Sequence, residues 1–220
     1  LFHSRYALAD RLRLENQALE ALGKHSTHDQ RQGRVLVASQ VMEQSVDCDA
    51  DVMISDLAPI DLLIQRAGRL HRHVRDAQGN PAEEEGRPKP CLYILAPEFS
   101  DKPAADWYAE WFPRAAYVYP DTGRLWLTHK VLKEEQAIVM PERARVLIEA
   151  VYGRDDEQDI PLALQDASYG QEGRRISERS LANLNALQIN KGYCRDSGVW
   201  DAEERTPTRL GDDNREFILL

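Results

Sequence analysis

The sequence predicts an α/β fold, in which a parallel sheet is flanked by helices and a smaller, mostly helical C-terminal domain follows. Two short apolar runs, residues 34–38 and 52–55, have the composition of buried parallel strands, and the polar segment 39–51 separates them. A third run at 91–95 closes the predicted sheet. From about residue 141 onward the apolar residues follow helical spacing.

Composition indicates an ordinary globular protein. The chain has 220 residues, of which 42% are hydrophobic and 30% charged, and no apolar run approaches membrane-spanning length. Its three cysteines lie far apart, without a C-x-x-C pair, which argues against a disulfide framework or a zinc site. We expect no metal site in this chain, no membrane partner and a reducing, cytoplasmic location.

The acidic balance limits the ways in which the chain can bind nucleic acid. The net charge is −9, and residues 1–80 hold 10 Lys and Arg against 11 Asp and Glu, so most of the excess lies further along. Broad electrostatic attraction to DNA is therefore disfavoured. Any DNA contact must be local, through a few arginines and backbone amides.

The elements before the sheet are predicted from capping and apolar spacing. A helix is expected at about residues 5–22, with leucines as its apolar stripe, Ser4 as N-cap and Gly23 as a left-handed stop. Residues 25–33 are predicted to be polar loop. The strand at 52–55 then leads through residues 56–59 into a helix.

The second half predicts packing elements with little chemistry. A cluster of aromatic residues at helical spacing is expected to pack in a core, although stacking on bases is the alternative. Residues 116–127 are predicted to form a β-hairpin around a turn at Pro120–Gly123. Pro141 is expected to start a helix to about Val151. The aromatic cluster comprises Trp107, Tyr108, Trp111 and Phe112.

Beyond the acidic run 155–157, which predicts a linker, helical patches are expected at 160–167 and 177–187. Arg174 and Arg175, between these patches, and Arg179, in the second, predict a solvated helix face more strongly than a phosphate contact. A short apolar segment at 217–220 suggests a final packing strand.

The stretch from Gln65 to Arg72, Q-R-A-G-R-L-H-R, is the strongest functional signal. If the helix before it continues, Gln65, Arg69 and Arg72 fall at i, i+4 and i+7 and share one face. The guanidinium group is a permanently charged planar fork that matches phosphate oxygens. A basic helix end is the simpler alternative. The apolar run before the motif and its low chance frequency, well under about one chain in a thousand, favour polyphosphate binding.

Four acidic residues, Glu43, Asp47, Asp49 and Asp51, stand close together in the segment 39–51. Composition alone is consistent with solvated turn residues, and this interpretation is favoured for Asp51.

Three stretches together resemble the helicase-nuclease of type I CRISPR systems, and most closely the branch that serves the Cascade complex of type I-E. They are L-F-H-S-R-Y at 1–6, A-S-Q-V-M-E-Q-S-V-D at 38–47, and Q-R-A-G-R-L-H-R-H at 65–73. They match motifs IV, V and VI of superfamily 2 helicases, so the resemblance implies a second RecA-like lobe in a prokaryotic, cytoplasmic enzyme. It is specific over residues 1–75 and looser to about residue 152.

The resemblance also implies roles for individual residues. Arg69 and Arg72 would act as arginine fingers on a triphosphate held by the first lobe, with Gln65 and either Asp47 or Asp49 at the nucleotide. Contacts to the DNA backbone would come from motif IV and the start of motif V, at Ser4, Arg5, Ser39 and Gln40. The implied partners are the displaced single strand of an R-loop, Cascade, ATP with Mg²⁺, and an HD nuclease domain whose metal is unspecified.

On this basis we expect three segments: residues 1–97 as the C-terminal part of the second lobe, 98–152 as a linker region with the hairpin and a helix, and 153–220 as an accessory domain. The sequence has neither a G-x-x-x-x-G-K-[ST] phosphate loop nor an Asp-Glu-x-His motif. The nucleotide cradle and the HD domain are therefore expected upstream, and the 220 residues alone should not hydrolyse ATP. Two alternatives remain: a non-catalytic module that docks on Cascade or covers a DNA channel, and a generic superfamily 2 RNA or DNA helicase lobe.

Overall fold

A computed structural model describes residues 6–40, 43, 46–153 and 159–185. The chain divides into two units, residues 1–165 and 166–220. The elements of the described part, in order, are α1 (Leu8–Leu22), α2 (His28–Arg31), β1 (Val52–Asp56), α3 (Ile60–Ala67), β2 (Cys91–Leu95), α4 (Pro113–Val118), α5 (Thr122–Glu135), α6 (Ala144–Tyr152) and α7 (Leu162–Asn185).

The sheet confirms the predicted parallel arrangement. Strands β1 and β2 pair in parallel, with Val52 opposite Cys91 and Asp56 opposite Leu95. One face of β2 packs on the core through Ile94, whereas Tyr93 on the other face is 56% exposed. The apolar run at 91–95 indicates a buried strand, and this interpretation is wrong for one face. The α/β fold class itself is confirmed.

The core of the first unit is mainly helical. Its centre joins the start of α3 to α5 and α6, with the aromatic turns before α4 at its side. Each fully buried leucine in such a core contributes about 1.5–3 kcal/mol of transfer free energy. The buried members include Leu57, Ile60, Leu63, Trp107, Tyr108, Leu125, Trp126, Leu127, Val131, Leu147, Val151 and Leu164.

The aromatic cluster packs as predicted at three of its four positions. Trp107 and Tyr108 are buried, and the Tyr108 hydroxyl donates to the Leu57 carbonyl oxygen at 2.7 Å. Phe112 packs against the same core, whereas Trp111 is 68% exposed. Core packing therefore accounts for most of this cluster.

A second, small apolar cluster lies between α1 and the segment before β1. It contains Ala18, Val46 and Cys48, with Leu14 and Leu22 packed against it. Burial raises the pKa of the Cys48 thiol to about 11, so the thiol stays protonated at neutral pH and is a poor nucleophile.

The predicted hairpin at 116–127 is wrong, because these residues belong to α4 and α5. The predicted turn is instead a helix start, where the Asp121 carboxylate accepts a hydrogen bond from the Arg124 backbone N–H at 3.1 Å. Leu125, Trp126 and Leu127 are all buried, so α5 is covered on several sides. Consecutive burial of this kind hides the 3.6-residue period that would have indicated a helix.

The predicted strand at 34–38 is also wrong. Residues 34–37 carry no strand assignment, and Val35 and Val37 are 88% and 59% exposed. The β-branched composition was the basis for the prediction, but no strand within the described ranges pairs with this segment, and composition alone does not form a ladder.

Several element ends differ from their predictions. Helix α1 starts at Leu8 with Ala7 as N-cap, and residues 28–31 of the predicted loop form α2. Gly23 adopts φ −82° and ψ 178°, which is extended rather than left-handed. Glycine is needed there because a Cβ atom would lie 2.3 Å from the Leu19 carbonyl oxygen.

The helices nearer the C-terminus also begin or end at other residues than predicted. Helix α6 begins at Ala144 rather than at Pro141, and the two predicted C-terminal patches belong to one helix, α7. The predicted linker at 155–157 and strand at 217–220 lie outside the described residues. None of the helices in the described ranges is both long enough and apolar enough to cross a membrane. The three-segment division stays a prediction.

Candidate nucleotide-facing arginine site

The site is built on one buried carboxylate, that of Asp49. Its side chain is fully buried directly before β1 and pairs with the guanidinium groups of Arg75 and Arg87. Arg31 lies 3.7 Å from the same carboxylate. We call Asp49 and these three arginines the Asp49 cluster. A buried charge is stable only if it is paired and hydrogen-bonded, and this carboxylate is both.

Arg75 fixes the cluster to the end of α1 and the turn after it. Its side chain is fully buried, and its nitrogens donate to the carbonyl oxygens of Gly23, Ser26 and Gly79 at 2.8, 2.6 and 2.9 Å. Its Nε donates to Asp49. An arginine with all of its donors used holds the polypeptide around it in one arrangement.

Arg87 closes the loop that follows Arg75. Its side chain is 4% exposed and donates to the His73 carbonyl oxygen at 2.7 Å and to Asp51 at 2.8 Å. Hydrogen bonds from Arg87 lower the pKa of Glu85 to about 2, although burial opposes the shift. The loop 76–90 is thus tied to the segment before β1.

The arginine turn, residues 68–73, follows α3 and lies beside this cluster. Helix α3 ends at Ala67, and the chain then runs parallel to Ala50, where the Ala50 N–H donates to the Arg69 carbonyl oxygen at 2.8 Å. His71 adopts φ +47°, in the left-handed region. The prediction that Gln65, Arg69 and Arg72 share one helical face is therefore wrong, because the helix stops before the second and third of them.

Asp49 also positions the backbone of this turn. One of its carboxylate oxygens accepts a hydrogen bond from the Arg72 backbone N–H at 2.9 Å. The Arg72 side chain, 42% exposed, forms an ion pair through Nε with Asp47, which is 50% exposed and also lies 3.2 Å from His73 Nε2. Burial would raise the pKa of Asp47, but Arg72 and His73 lower it below its usual value. Asp47 is therefore ionised at neutral pH.

The two candidate aspartates have different surroundings. The carboxylate of Asp49 is enclosed, whereas the carboxylate of Asp47 is half exposed beside Arg72. The sequence left these two positions equivalent. The geometry makes Asp47 the more accessible of the two.

Arg66, on α3, and Glu43 form a second, partly buried ion pair. Arg66 donates to the Glu43 carboxylate from Nε and Nη2 at 2.8 and 2.6 Å, and to the Ser55 hydroxyl at 2.6 Å. Arg69 donates from Nη2 to the Glu43 carbonyl oxygen at 3.1 Å. Burial would lower the pKa of Arg66, but Tyr119 and Glu43 raise it above its usual value.

The predicted DNA-contacting residues are only partly described. Ser39 and Gln40 are exposed, and Gln40 donates to the Tyr119 hydroxyl oxygen at 3.2 Å. Gln65 is exposed on α3. Ser4 and Arg5 lie outside the described residues.

Sequence reasoning missed the residues that organise this site. Arg31, Arg75 and Arg87 stand in segments that are polar loop by composition, and no spacing marks them as buried. Arg66 is part of the arginine motif, but its inward direction depends on Glu43 and Tyr119, which come from elsewhere in the chain. Only the adjacent acidic run in 47–51 gave a signal, because buried arginines need carboxylate partners.

Within the ranges that the structure describes, no group of three or more His, Cys, Asp and Glu side chains could hold a metal ion. The carboxylates of Asp47, Asp49 and Asp51 are each paired with arginines, and the point that Asp49 and Asp51 share is occupied by the Arg87 guanidinium group. These residues therefore do not fit a Mg²⁺ site.

The fold and the site together define an α/β lobe that displays an arginine turn on a buried ionic cluster. Residues 1–75 match the protein family described as CRISPR-associated nuclease/helicase Cas3, C-terminal. Cas3 of Streptococcus thermophilus is 49% identical over 234 residues, which cover 100% of this chain and 24% of that protein. Cas3 of Thermus thermophilus is 35% identical over 241 residues, again covering 100% of this chain and 24% of that protein.

Solved structures give the same result. The crystal structure of T. fusca Cas3 with AMPPNP matches with a TM-score of 0.65 and 35% identity, over 84% of this chain and 19% of that chain. A CRISPR RNA-guided surveillance complex in a pre-nicking state matches with a TM-score of 0.61 and 34% identity, over 84% of this chain and 21% of the matched chain. The chain therefore belongs to the Cas3 family and corresponds to its C-terminal region. It spans about a quarter or less of the length of these relatives.

Proposed function

We propose that this chain is the C-terminal part of an ATP-driven single-stranded DNA helicase coupled to a nuclease that degrades invading DNA, and that Arg69 and Arg72 complete its ATPase site. A first RecA-like lobe would hold ATP and Mg²⁺, and an upstream HD domain would carry the nuclease metal. The proposed partners are the displaced R-loop strand and Cascade.

One observation carries the proposal: the Arg72 guanidinium is half exposed while its backbone is fixed by Asp49. A guanidinium group that a ligand can reach, on a residue whose backbone is held in place, can stabilise charge that develops on a phosphoryl group. The matching structures of T. fusca Cas3 with ADP and with ATP support a nucleotide as the ligand.

The ion pair with Asp47 is the position that the Arg72 guanidinium group occupies before it contacts a triphosphate. Because both side chains are about half exposed, the pair contributes only about 0–1 kcal/mol. A triphosphate offers several oxygens and more charge than one carboxylate, so it can displace Asp47 from the guanidinium group. We therefore assign Asp47, rather than the enclosed Asp49, to the nucleotide side.

On the strand side, we assign Ser39 and Gln40 to the DNA backbone, together with Ser4 and Arg5. Arg69 donates to the Glu43 carbonyl oxygen, so one of the two proposed fingers contacts the segment that carries Ser39 and Gln40. Movement of Arg69 when the lobes close would therefore also move the segment that carries Ser39 and Gln40.

The test uses a full-length Cas3 family enzyme whose C-terminal part has this sequence. Arg69→Ala and Arg72→Ala should each lower ATP turnover at saturating single-stranded DNA by about 10³-fold while nucleotide affinity stays nearly unchanged. Arg114→Ala, at an exposed arginine of α4, is the matched control and should turn over normally. Normal turnover in both finger variants would refute the assignment.

The same proposal predicts that the 220 residues alone are inactive. Purified chain mixed with Mg²⁺, ATP and single-stranded DNA should release no phosphate above background, because the sequence holds no phosphate loop. Turnover by the isolated chain would contradict the division of the site between two lobes.

A further inference from the structure

We propose that Tyr119, which lies outside all of the helicase motifs, is a positioning residue that joins the strand-contacting Gln40 to the partly buried Arg66–Glu43 pair. The inference rests on the proposed function, since it assumes that Gln40 contacts DNA and states that the Tyr119 hydroxyl group orients the Gln40 amide. The hydroxyl oxygen of Tyr119 accepts hydrogen bonds from two donors.

The Tyr119 oxygen accepts from Arg66 Nη2 at 2.7 Å and from Gln40 Nε2 at 3.2 Å. A phenolic oxygen can accept two hydrogen bonds, so the two contacts are compatible. Gln40 is exposed, and a primary amide nitrogen carries two hydrogens. One hydrogen is used on Tyr119, and the other remains for a phosphate oxygen.

The ring of Tyr119 is held independently of its hydroxyl group. Tyr119 is the C-cap residue directly after α4, where its N–H donates to the Ala115 carbonyl oxygen at 2.8 Å, and its ring packs against the main core. The hydroxyl position is therefore set by the core, and the exposed amide of Gln40 takes its orientation from it.

The same hydroxyl group touches the pair that leads to Arg69. Arg66 binds the Glu43 carboxylate, and the Glu43 carbonyl oxygen accepts from Arg69. Gln40, Tyr119, Arg66, Glu43 and Arg69 thus form an unbroken series of polar contacts. It runs from the proposed strand contact to a proposed finger, and a contiguous polar network of this kind can carry energetic coupling between two sites.

Tyr119→Phe removes only the hydroxyl group. Arg66 keeps Glu43 and Ser55, so no buried charge is left without a partner and the fold should hold. Gln40 loses the hydrogen bond that its amide nitrogen donates to the Tyr119 hydroxyl oxygen. Tyr117→Phe, on the same helix and 89% exposed, is the matched control.

The readout is the concentration of single-stranded DNA that gives half-maximal ATP turnover in the full-length enzyme. Tyr119→Phe should raise this concentration about fivefold, which corresponds to about 1 kcal/mol, while turnover at saturating DNA and the KM for ATP stay within about twofold. Tyr117→Phe should match the unmodified enzyme. Equal curves for both tyrosine variants, or a parallel loss in DNA and ATP affinity, would overturn the inference.

A double-variant cycle tests the link itself. In a Gln40→Ala background, Tyr119→Phe should have no further effect on DNA affinity, because the group that it orients is gone. An undiminished fivefold effect in that background would overturn the inference.

DNA binding measured by fluorescence anisotropy with a non-hydrolysable nucleotide separates this result from failure of the proposed function. If Arg69→Ala and Arg72→Ala leave turnover normal, the finger assignment fails while the Tyr119–Gln40 link remains measurable by anisotropy. If the finger variants are inactive and Tyr119→Phe binds DNA normally, the function stands and this inference fails.

Discussion

Asp49→Asn is the substitution whose effect the structure defines most sharply. It keeps the shape of the side chain but removes its charge. Arg31 and Arg87 would keep Asp51, and Arg87 also Glu85, whereas the Arg75 guanidinium pairs with no other carboxylate among the described residues. Those three side chains are 4%, 0% and 4% exposed, so water cannot replace the lost carboxylate. Breaking a buried ion pair by removing one partner costs about 3–5 kcal/mol.

That loss is a large part of the total stability of a domain, which is about 5–15 kcal/mol. Urea unfolding at pH 7, followed by the fluorescence of the buried tryptophans, measures it. The matched control is Asp51→Asn. Its carboxylate also pairs with Arg31 and Arg87, both at 2.8 Å, but it is 49% exposed, so the expected loss is about 1 kcal/mol.

The reasoning is refuted if Asp49→Asn unfolds within about 1 kcal/mol of the unmodified chain, or if it is no less stable than Asp51→Asn. Either result would mean that burial does not set the strength of this cluster.

Three further perturbations have defined outcomes. Gly23→Ala places a methyl group 2.3 Å from the Leu19 carbonyl oxygen, so the urea midpoint should fall by the equivalent of about 1–3 kcal/mol; an unchanged midpoint would contradict the contact. Glu85 has its pKa lowered from 4.5 to about 2, so its stabilising pairing is present above pH 4.5 and is lost as the pH falls toward 2. Glu85→Gln should flatten the unfolding free energy in that window, and an identical pH profile would count against it. Burial and the charge of Lys133 lower the pKa of His129, so its neutral form favours the fold and stability falls as the pH drops below 6.5. His129→Phe should reduce that dependence when midpoints at pH 5 and pH 7.5 are compared.

The sequence predicted the parts of the fold that depend on local composition. The strand at β1, the helix α3 after it and the parallel strand β2 are each recognisable from a short apolar run with its flanking residues. The family resemblance, too, came from contiguous stretches. Both were confirmed because neither required knowledge of contacts between distant residues.

The errors arose where distant contacts decide the structure. Pro120–Gly123 has turn composition and so predicts a hairpin, whereas burial of Leu125 and Leu127 in the core stabilises helix α5. The prediction that Gln65, Arg69 and Arg72 share a helical face is wrong because the chain leaves α3 and runs beside Ala50. Neither contact leaves a local pattern in the sequence.

The loop 76–90 has the composition of a segment that tolerates cutting and insertion. Its two ends nevertheless hold Arg75 and Arg87, whose side chains lie inside the ionic cluster. A protease that cleaves near the acidic residues 83–84 would therefore leave two fragments that stay associated, because Arg75 and Arg87 both remain bound to Asp49. Shortening the loop from either end would remove an arginine from the protein interior. An engineered tag or fluorophore is therefore best inserted at residues 83–84.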